Sequence, residues 1–215
     1  MKKVIGIVLA MFSFSCQSKE KEVIVPQIKE PVKMDIQEGM ELATFAGGCF
    51  WCTEAVFLEL NGVKSVVSGY IGGKTVNPTY AEICNGDTGH AEAIRITFDP
   101  KKISFGELLE IFFGTHDPTT LNRQGNDIGT QYRSEIFYHN EAQKTLSEDY
   151  IALMTKENTF GKPIVTKISA APKFYEAEEY HQNYYNQNKT QGYCSYVITP
   201  KIEKLKKVYK DKLKK

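Results

Sequence analysis

Apolar and polar positions alternate along Leu42–Ala46, Val63–Ile71, Ala91–Phe98, Ser134–Tyr138 and Pro163–Ser169, the period of strands, and helical patterns fall between several of them. Thr53–Leu60 carries apolar residues at Ala55, Val56 and Leu60, which predicts a helix that Asn61-Gly62 stops. Ser104 and Glu107 form a capping box with Ile103 and Leu108 at the staple positions, so a second helix is predicted over Phe105–Phe113. Asn140 is placed to cap a third, whose Ala142, Leu146, Tyr150 and Leu153 share one face and read as core. From Asp117 to Arg133 periodicity is lost and Pro, Asn, Gly and Asp gather, the mark of a long ordered loop of the kind that serves a site. Ala171–Tyr193, rich in Tyr, Glu, His and Asn, reads as a short helix and coil wrapping the domain. Strands interleaved with helices imply a layered α+β or α/β domain.

Both ends of the chain add to this picture. Lys2-Lys3 precedes an apolar run from Val4 to Phe14, then Ser15 and Cys16, the pattern of a secretory signal over residues 1–16. The run is too short to span a bilayer comfortably. A cysteine directly after it resembles the lipobox of bacterial lipoproteins, although Ser13 and Phe14 depart from the commonest Leu-Ala. That resemblance implies lipidation at Cys16 and an exported protein held in the cell envelope, facing the periplasm or exterior. Residues 17–40 read as a flexible tether, polar and charged from Gln17 to Gln37 and broken by Pro26 and Pro31. Residues 41–200 read as one domain, and 215 residues suffice for one substantial core; a monomer is expected. The tail, residues 201–215, sets lysines among Ile202, Leu205, Val208, Tyr209 and Leu213 at helical spacing. It is expected to dock one apolar face on the domain, with contact to anionic lipid head groups as the sharper alternative. A formal charge of +1, without a basic patch interleaved with aromatics, gives no reason to propose nucleic acid, and none is expected as a partner.

Candidate chemistry concentrates in Gly47-Gly48-Cys49-Phe50-Trp51-Cys52-Thr53-Glu54, where a cysteine follows a glycine pair at a strand-to-helix junction. A thiol at a helix N-terminus faces unpaired amides and the positive end of the dipole, which favour thiolate. Cys49 is therefore the candidate nucleophile, and Cys52 completes a Cys-x-x-Cys pair of redox type.

This octapeptide resembles the signature of the A-type peptide methionine sulfoxide reductases. The resemblance extends through Ser68-Gly69-Tyr70, Asn77-Pro78-Thr79-Tyr80, Gly89-His90-Ala91-Glu92-Ala93, His116-Asp117-Pro118 and the run from Asn122 to Ser134, so it covers about Leu42 to Lys201. It implies an α+β fold, a two-layer sandwich around a mixed sheet with a ferredoxin-like core. It implies that Cys49 attacks the sulfoxide sulfur while Phe50 and Trp51 line a notch for the S-methyl group, where sulfur–aromatic contact contributes about 0.3–1.5 kcal/mol. Glu92 would give a proton to the sulfoxide oxygen, which requires burial to keep it protonated. Tyr80 and Tyr132 would donate O–H bonds to that oxygen, with Asp127 orienting the group. Cys49 would be left as a sulfenic acid, and a second thiol would close a disulfide. Cys194 in Gly192-Tyr193-Cys194-Ser195 and Cys52 are both candidates for that resolving step, alone or as a relay. Cys52 stands where much of the family has glycine. Cys84 reads as a packed small hydrophobe. The resemblance further implies the S epimer at sulfur, oxidised proteins and peptides as substrates, a thioredoxin-like external dithiol as electron donor, and no metal or organic cofactor.

Other functions fit less well. A zinc site needs a second close pair of ligands, and the remaining cysteines and histidines are dispersed. A thioredoxin-like dithiol oxidoreductase using Cys49 and Cys52 shares the redox pair but leaves Glu92, Asp127, Tyr80 and Tyr132 unexplained. A non-catalytic envelope binding module would have no use for the intact set.

Overall fold

The computed structural model describes residues 39–215, so the leader, Cys16 and the tether through residue 38 lie outside the described residues. In chain order the elements are β1 (Glu41–Gly47), α1 (Phe50–Leu58), β2 (Val63–Ile71), α2 (Tyr80–Asn85), β3 (Ala91–Phe98), α3 (Phe105–Thr115), the two-residue strands β4 (Arg123–Gln124) and β5 (Asp127–Ile128), β6 (Ser134–Tyr138), α4 (Glu141–Lys156), β7 (Lys167–Ala170), β8 (Tyr175–Glu176), α5 (Tyr184–Gln187) and α6 (Thr199–Val208). A π-helical stretch, Cys194–Ile198, runs straight into α6.

The main sheet has the order β7-β6-β1-β3-β2-β8. Within it β1 lies antiparallel between β3 and β6, and β2 is antiparallel to β3. Counted among these four strands alone, the order across the sheet is fourth, first, third, second, with α1 following the first and α3 the third. This is the ferredoxin-like α+β core that the family resemblance implies. β7 pairs parallel to β6, which makes the sheet mixed.

Period-two alternation in β3 sends Ile94, Ile96 and Phe98 into the core beneath the helices, while Ala91 and Ala93 join Ala46, Ile71 and Phe137 on the other face. Glu92 is in phase with the first set. Phe45 of β1 is fully buried against the rings of Phe57, Phe105 and Phe112, the last stacked on it at 4.8 Å. Helix α1 is buried along Phe50, Cys52, Thr53, Glu54, Ala55, Val56 and Phe57. A helix buried on all sides has no polar face to display, and α1 sits between the sheet and the C-terminal segments.

Four expectations need correction. α1 begins at Phe50 rather than Thr53, because its first turn is the apolar Phe50-Trp51-Cys52 and carries no alternation that would mark a helix. The strand expected over Pro163–Ser169 is β7, Lys167–Ala170; Val165 N–H instead bonds the Pro118 carbonyl at 2.8 Å, outside the sheet. On α4 the buried set is Gln143, Leu146, Ser147, Tyr150 and Met154, with Ala142 and Leu153 at its margins. Gln143 is held there by polar pairing, donating to the Leu42 carbonyl at 2.8 Å and accepting from His139 N–H at 3.0 Å. Cys84 is exposed, not packed.

Helix α2 was hidden inside a motif. Thr79 and Glu82 cap it reciprocally, and Gly86 closes it at φ +82°. The tail docks on the domain: Ile202, Leu205 and Tyr209 are buried and Leu213 bridges to Leu60. Replacing Phe45 with Ala is expected to lower the unfolding free energy by about 3–5 kcal/mol through the cavity it leaves, read as a lower urea midpoint at unchanged m-value.

Candidate active site

The site begins where β1 must stop abruptly. Gly48 has φ +92°, and a Cβ there would lie 2.6 Å from the Gln124 side chain; a Cβ on Gly47 would lie 2.8 Å from the Phe112 ring. The glycine pair thus lets the chain pass between α3 and the β4 loop and turn into α1. Cys49 is the N-cap residue, 8% exposed, and its side chain makes no capping hydrogen bond. The first amide of the helix is taken instead by a carboxylate from the sheet: Phe50 N–H donates to Glu92 Oε2 at 3.0 Å.

Glu92 is 1% exposed. Burial pushes its carboxyl up to about 8, against the pull of the Phe50 amide, with the charges of Asp127 and Cys52 adding to the rise. It is therefore mostly protonated at neutral pH. Tyr80 and Tyr132 are half-buried, and both phenols are pushed above their usual range by burial and by the nearby Glu92, so they remain O–H donors. The backbone N–H of Tyr80 is anchored on Glu178 Oε1 at 2.8 Å, and Glu178 Oε2 accepts from Tyr70 O–H at 2.8 Å.

The helix start does not leave Cys49 ionised, contrary to the sequence expectation. Burial pushes its thiol up, reinforced by hydrogen bonding with Cys52 and by Glu92, while a hydrogen bond from Tyr193 pulls the other way. Cys52 behaves oppositely: hydrogen bonding from Cys49 brings it down to about 7, helped by the Lys201 ammonium and Tyr193 against the cost of burial. Asp127, expected to orient the two motif tyrosines, is paired with a third, since Tyr193 O–H donates to Asp127 Oδ2 at 2.7 Å and its oxygen lies 3.6 Å from Cys52 Sγ.

Beside the two thiols opens a cavity of about 280 Å³ lined by Cys49, Cys52, Asp127, Tyr193, Tyr196 and Lys201, among others. Phe50 and Trp51 do not line it. Phe50 is 1% exposed, its ring 5.0 Å from His181 and 5.9 Å from Tyr70. Trp51 donates Nε1–H to His181 Nδ1 at 3.1 Å, and its face is covered by Tyr184, stacked at 3.7 Å and 8°. The aromatic wall exists, and the C-terminal coil lies on it. That coil is pinned by Asn183 N–H to Glu54 Oε1 at 2.8 Å and by Gln182, which pairs with both backbone groups of Ser68 at 2.9 and 3.0 Å. Burial pushes Glu54 up to about 7. Cys194, fully buried at the head of the π-helical stretch, is pushed up by burial and by its neighbour Cys52.

Sequence reasoning missed Tyr193, His181, Glu54 and Lys201. Tyr193 carried a signal, its place beside Cys194. Lys201 had none, one lysine among many in the tail. Among the described residues no group of three or more His, Cys, Asp and Glu side chains is arranged to hold a metal ion.

The family model described as peptide methionine sulfoxide reductase matches residues 41–213. The chain is 58% identical over 174 residues to the peptide methionine sulfoxide reductase MsrA of Deinococcus radiodurans, covering 81% of this chain and 84% of that one. Its structure is similar to the reduced form of Mxr1 from Saccharomyces cerevisiae, with TM-score 0.68, 37% identity, and coverage of 72% of this chain and 89% of that one. It also matches Mxr1 in complex with Trx2, with TM-score 0.50, 28% identity, and coverage of 71% and 91%.

Trp51 is the chain's one tryptophan, so its fluorescence reports on the coil that covers it. Tyr184→Leu is expected to red-shift the emission and make acrylamide quenching several-fold more efficient, with far-ultraviolet dichroism unchanged. Equal quenching in both proteins would mean that Tyr184 does not shield the indole in solution.

Proposed function

This chain belongs to the peptide methionine sulfoxide reductase family, and from that premise we propose how its own residues carry the reaction. The enzyme reduces methionine sulfoxide at the expense of thiols. Cys49 sulfur attacks the sulfoxide sulfur, and Glu92 gives its proton to the oxygen as negative charge builds there. Tyr80 and Tyr132 stabilise that charge through O–H bonds. The oxygen passes to Cys49, leaving methionine and a Cys49 sulfenic acid, and the proton lost by the thiol returns to Glu92.

One observation carries this reading. Glu92 projects from a core position of β3, reaches the first amide after the nucleophile, and is held by burial near 8. A protonated carboxyl beside a thiol is what transfer of a sulfoxide oxygen requires. A plain dithiol oxidoreductase leaves that acid without a task.

Phe50 and Trp51 form the apolar wall for the substrate methyl once the coil carrying Tyr184 moves aside. Resemblance to the A type assigns the S epimer. The sulfenic acid is then converted to a disulfide by Cys52 or Cys194, which an external thioredoxin-like protein reduces; the complex of the relative Mxr1 with Trx2 supports that donor. The leader pattern supports export and lipidation at Cys16, with the tether holding a monomeric enzyme near the envelope, where oxidised envelope proteins and peptides are the substrates.

The test is turnover of a peptide carrying each separated sulfoxide epimer, with dithiothreitol as reductant. Reduction of the S epimer alone, lost in Cys49→Ser, is expected; disulfide reduction without sulfoxide turnover would replace this reading with the oxidoreductase. Because the acid form of Glu92 is the active one and its folded value is about 8, single-turnover methionine formation should decline as pH rises through that point. Glu92→Gln keeps an acceptor for the Phe50 amide but cannot give up a proton. It should slow the step by about 10²–10⁴-fold and flatten that alkaline limb.

A further inference from the structure

Two helices of the site begin in the same way. The first amide of α1, on Phe50, donates to Glu92, and the first amide of α2, on Tyr80, donates to Glu178 Oε1 at 2.8 Å. Glu92 serves the sulfoxide oxygen, whereas Glu178 organises the rings around it. Its Oε2 accepts from Tyr70 O–H at 2.8 Å and lies 3.9 Å from His181 Nε2. His181 is 1% exposed, its ring 4.4 Å from that of Tyr80, 5.0 Å from Phe50 and 5.6 Å from Trp51. Its Nδ1 accepts from Trp51 Nε1–H at 3.1 Å.

We propose that Glu178 and His181 are the positioning residues of the sulfoxide pocket: Glu178 places Tyr80 on the side of the oxygen and, through His181, fixes the indole of Trp51 on the side of the methyl. This rests on the reading of Phe50, Trp51 and Tyr80 as the groups around the bound sulfoxide.

The arrangement works with only one placement of the imidazole proton. An indole N–H can only donate, so His181 Nδ1 must be bare. Burial pushes the imidazole down against the pull of Glu178, which leaves it neutral with its single proton on Nε2. That nitrogen is buried and has no hydrogen-bond partner among the described residues. The charge facing it is Glu178: burial works against a charge there, yet the Tyr80 amide and the Tyr70 hydroxyl hold the carboxyl below its usual range. At 3.9 Å the anion is too far for a hydrogen bond but close enough to favour the tautomer with its proton on Nε2. Tyr180 covers the same imidazole at 4.1 Å, so the ring is held among aromatic neighbours.

Glu178 can act as a fixed point because its segment is bound to the sheet. β8, just before it, pairs with β2, Ala177 N–H donates to the Ser68 carbonyl at 2.9 Å, and Gln182 pairs with both backbone groups of Ser68. The left-handed turn at Asn183, φ +52°, separates this anchored stretch from Tyr184. Tyr184 can therefore lift from Trp51 while Glu178 and His181 stay in place.

The test compares peptides carrying the S-sulfoxides of methionine and of ethionine, with dithiothreitol as reductant. A fitted pocket tells methyl from ethyl by about 10–200-fold, the worth of one methylene. His181→Phe keeps a ring but offers the indole no acceptor. Glu178→Gln keeps an acceptor for the Tyr80 amide and replaces the anion opposite Nε2 with a neutral amide. Each should cut the methyl preference about tenfold and raise KM for the methionine sulfoxide peptide more than it lowers kcat. His181→Asn, with an oxygen near the place of Nδ1, should keep most of the preference. An unchanged preference in both His181→Phe and Glu178→Gln, with native dichroism, overturns the inference and leaves the sulfoxide reading standing. Wild-type protein that reduces no methionine S-sulfoxide sinks that reading and this one together. The tautomer is read without any variant: in the ¹⁵N spectrum of the wild-type protein His181 should show a bare Nδ1 and a protonated Nε2. A proton on Nδ1 overturns the inference even where the variants fail to fold.

Discussion

A single buried hydrogen bond, from Phe50 N–H to Glu92 Oε2 at 3.0 Å, ties the start of the central helix to the middle of the sheet. It constrains everything around it. A carboxyl 1% exposed is tolerated because a helix N-terminus always has unpaired amides to offer, and the helix can start so abruptly because a strand supplies the acceptor. The glycine pair is the geometric condition for this: Gly48 at φ +92° allows β1 to end and α1 to begin within two residues. Nucleophile, acid and helix are therefore one arrangement, and moving any of them displaces the other two.

A second layer of contacts lies over that arrangement. Tyr184 stacks on Trp51, Asn183 is held by the buried Glu54, and Gln182 clasps the backbone of Ser68. Tyr193 reaches across to Asp127, linking the β4–β5 loop to the segment that carries Cys194. The long loop and the C-terminal coil thus meet over the thiols from opposite directions. Two of these contacts reach down to fully buried partners, Glu54 and Ser68, so the coil is fastened to the interior at those points and by ring stacking at Trp51.

Alternation made the four core strands and the capping box of α3 legible in the sequence, because each is encoded by neighbours along the chain. α1 was misplaced by three residues since a helix buried on all sides erases its own periodicity. Glu92 was nominated through the resemblance alone; its phase with Ile94, Ile96 and Phe98, opposite to that of Ala91 and Ala93, is the signal in the chain that marks it as buried. Cys49 was identifiable from its glycines, but its protonation was not. That depends on Glu92, Tyr193 and Cys52 converging from three elements, and no local pattern records such a meeting. Lys201 was unreadable for the same reason.

The end of the chain returns to the middle of the core. Leu213 bridges to Leu60, Asn61 N–H bonds the Lys212 carbonyl and Lys214 N–H the Glu59 carbonyl, both at 2.8 Å, while Ile202 and Leu205 are buried within the core cluster. The C-terminal segments thus cover the outer side of α1, and the contacts of Lys212, Leu213 and Lys214 fasten that cover to the loop that follows the helix. A change at Leu213, remote from the thiols along the chain, therefore bears on the helix that carries them.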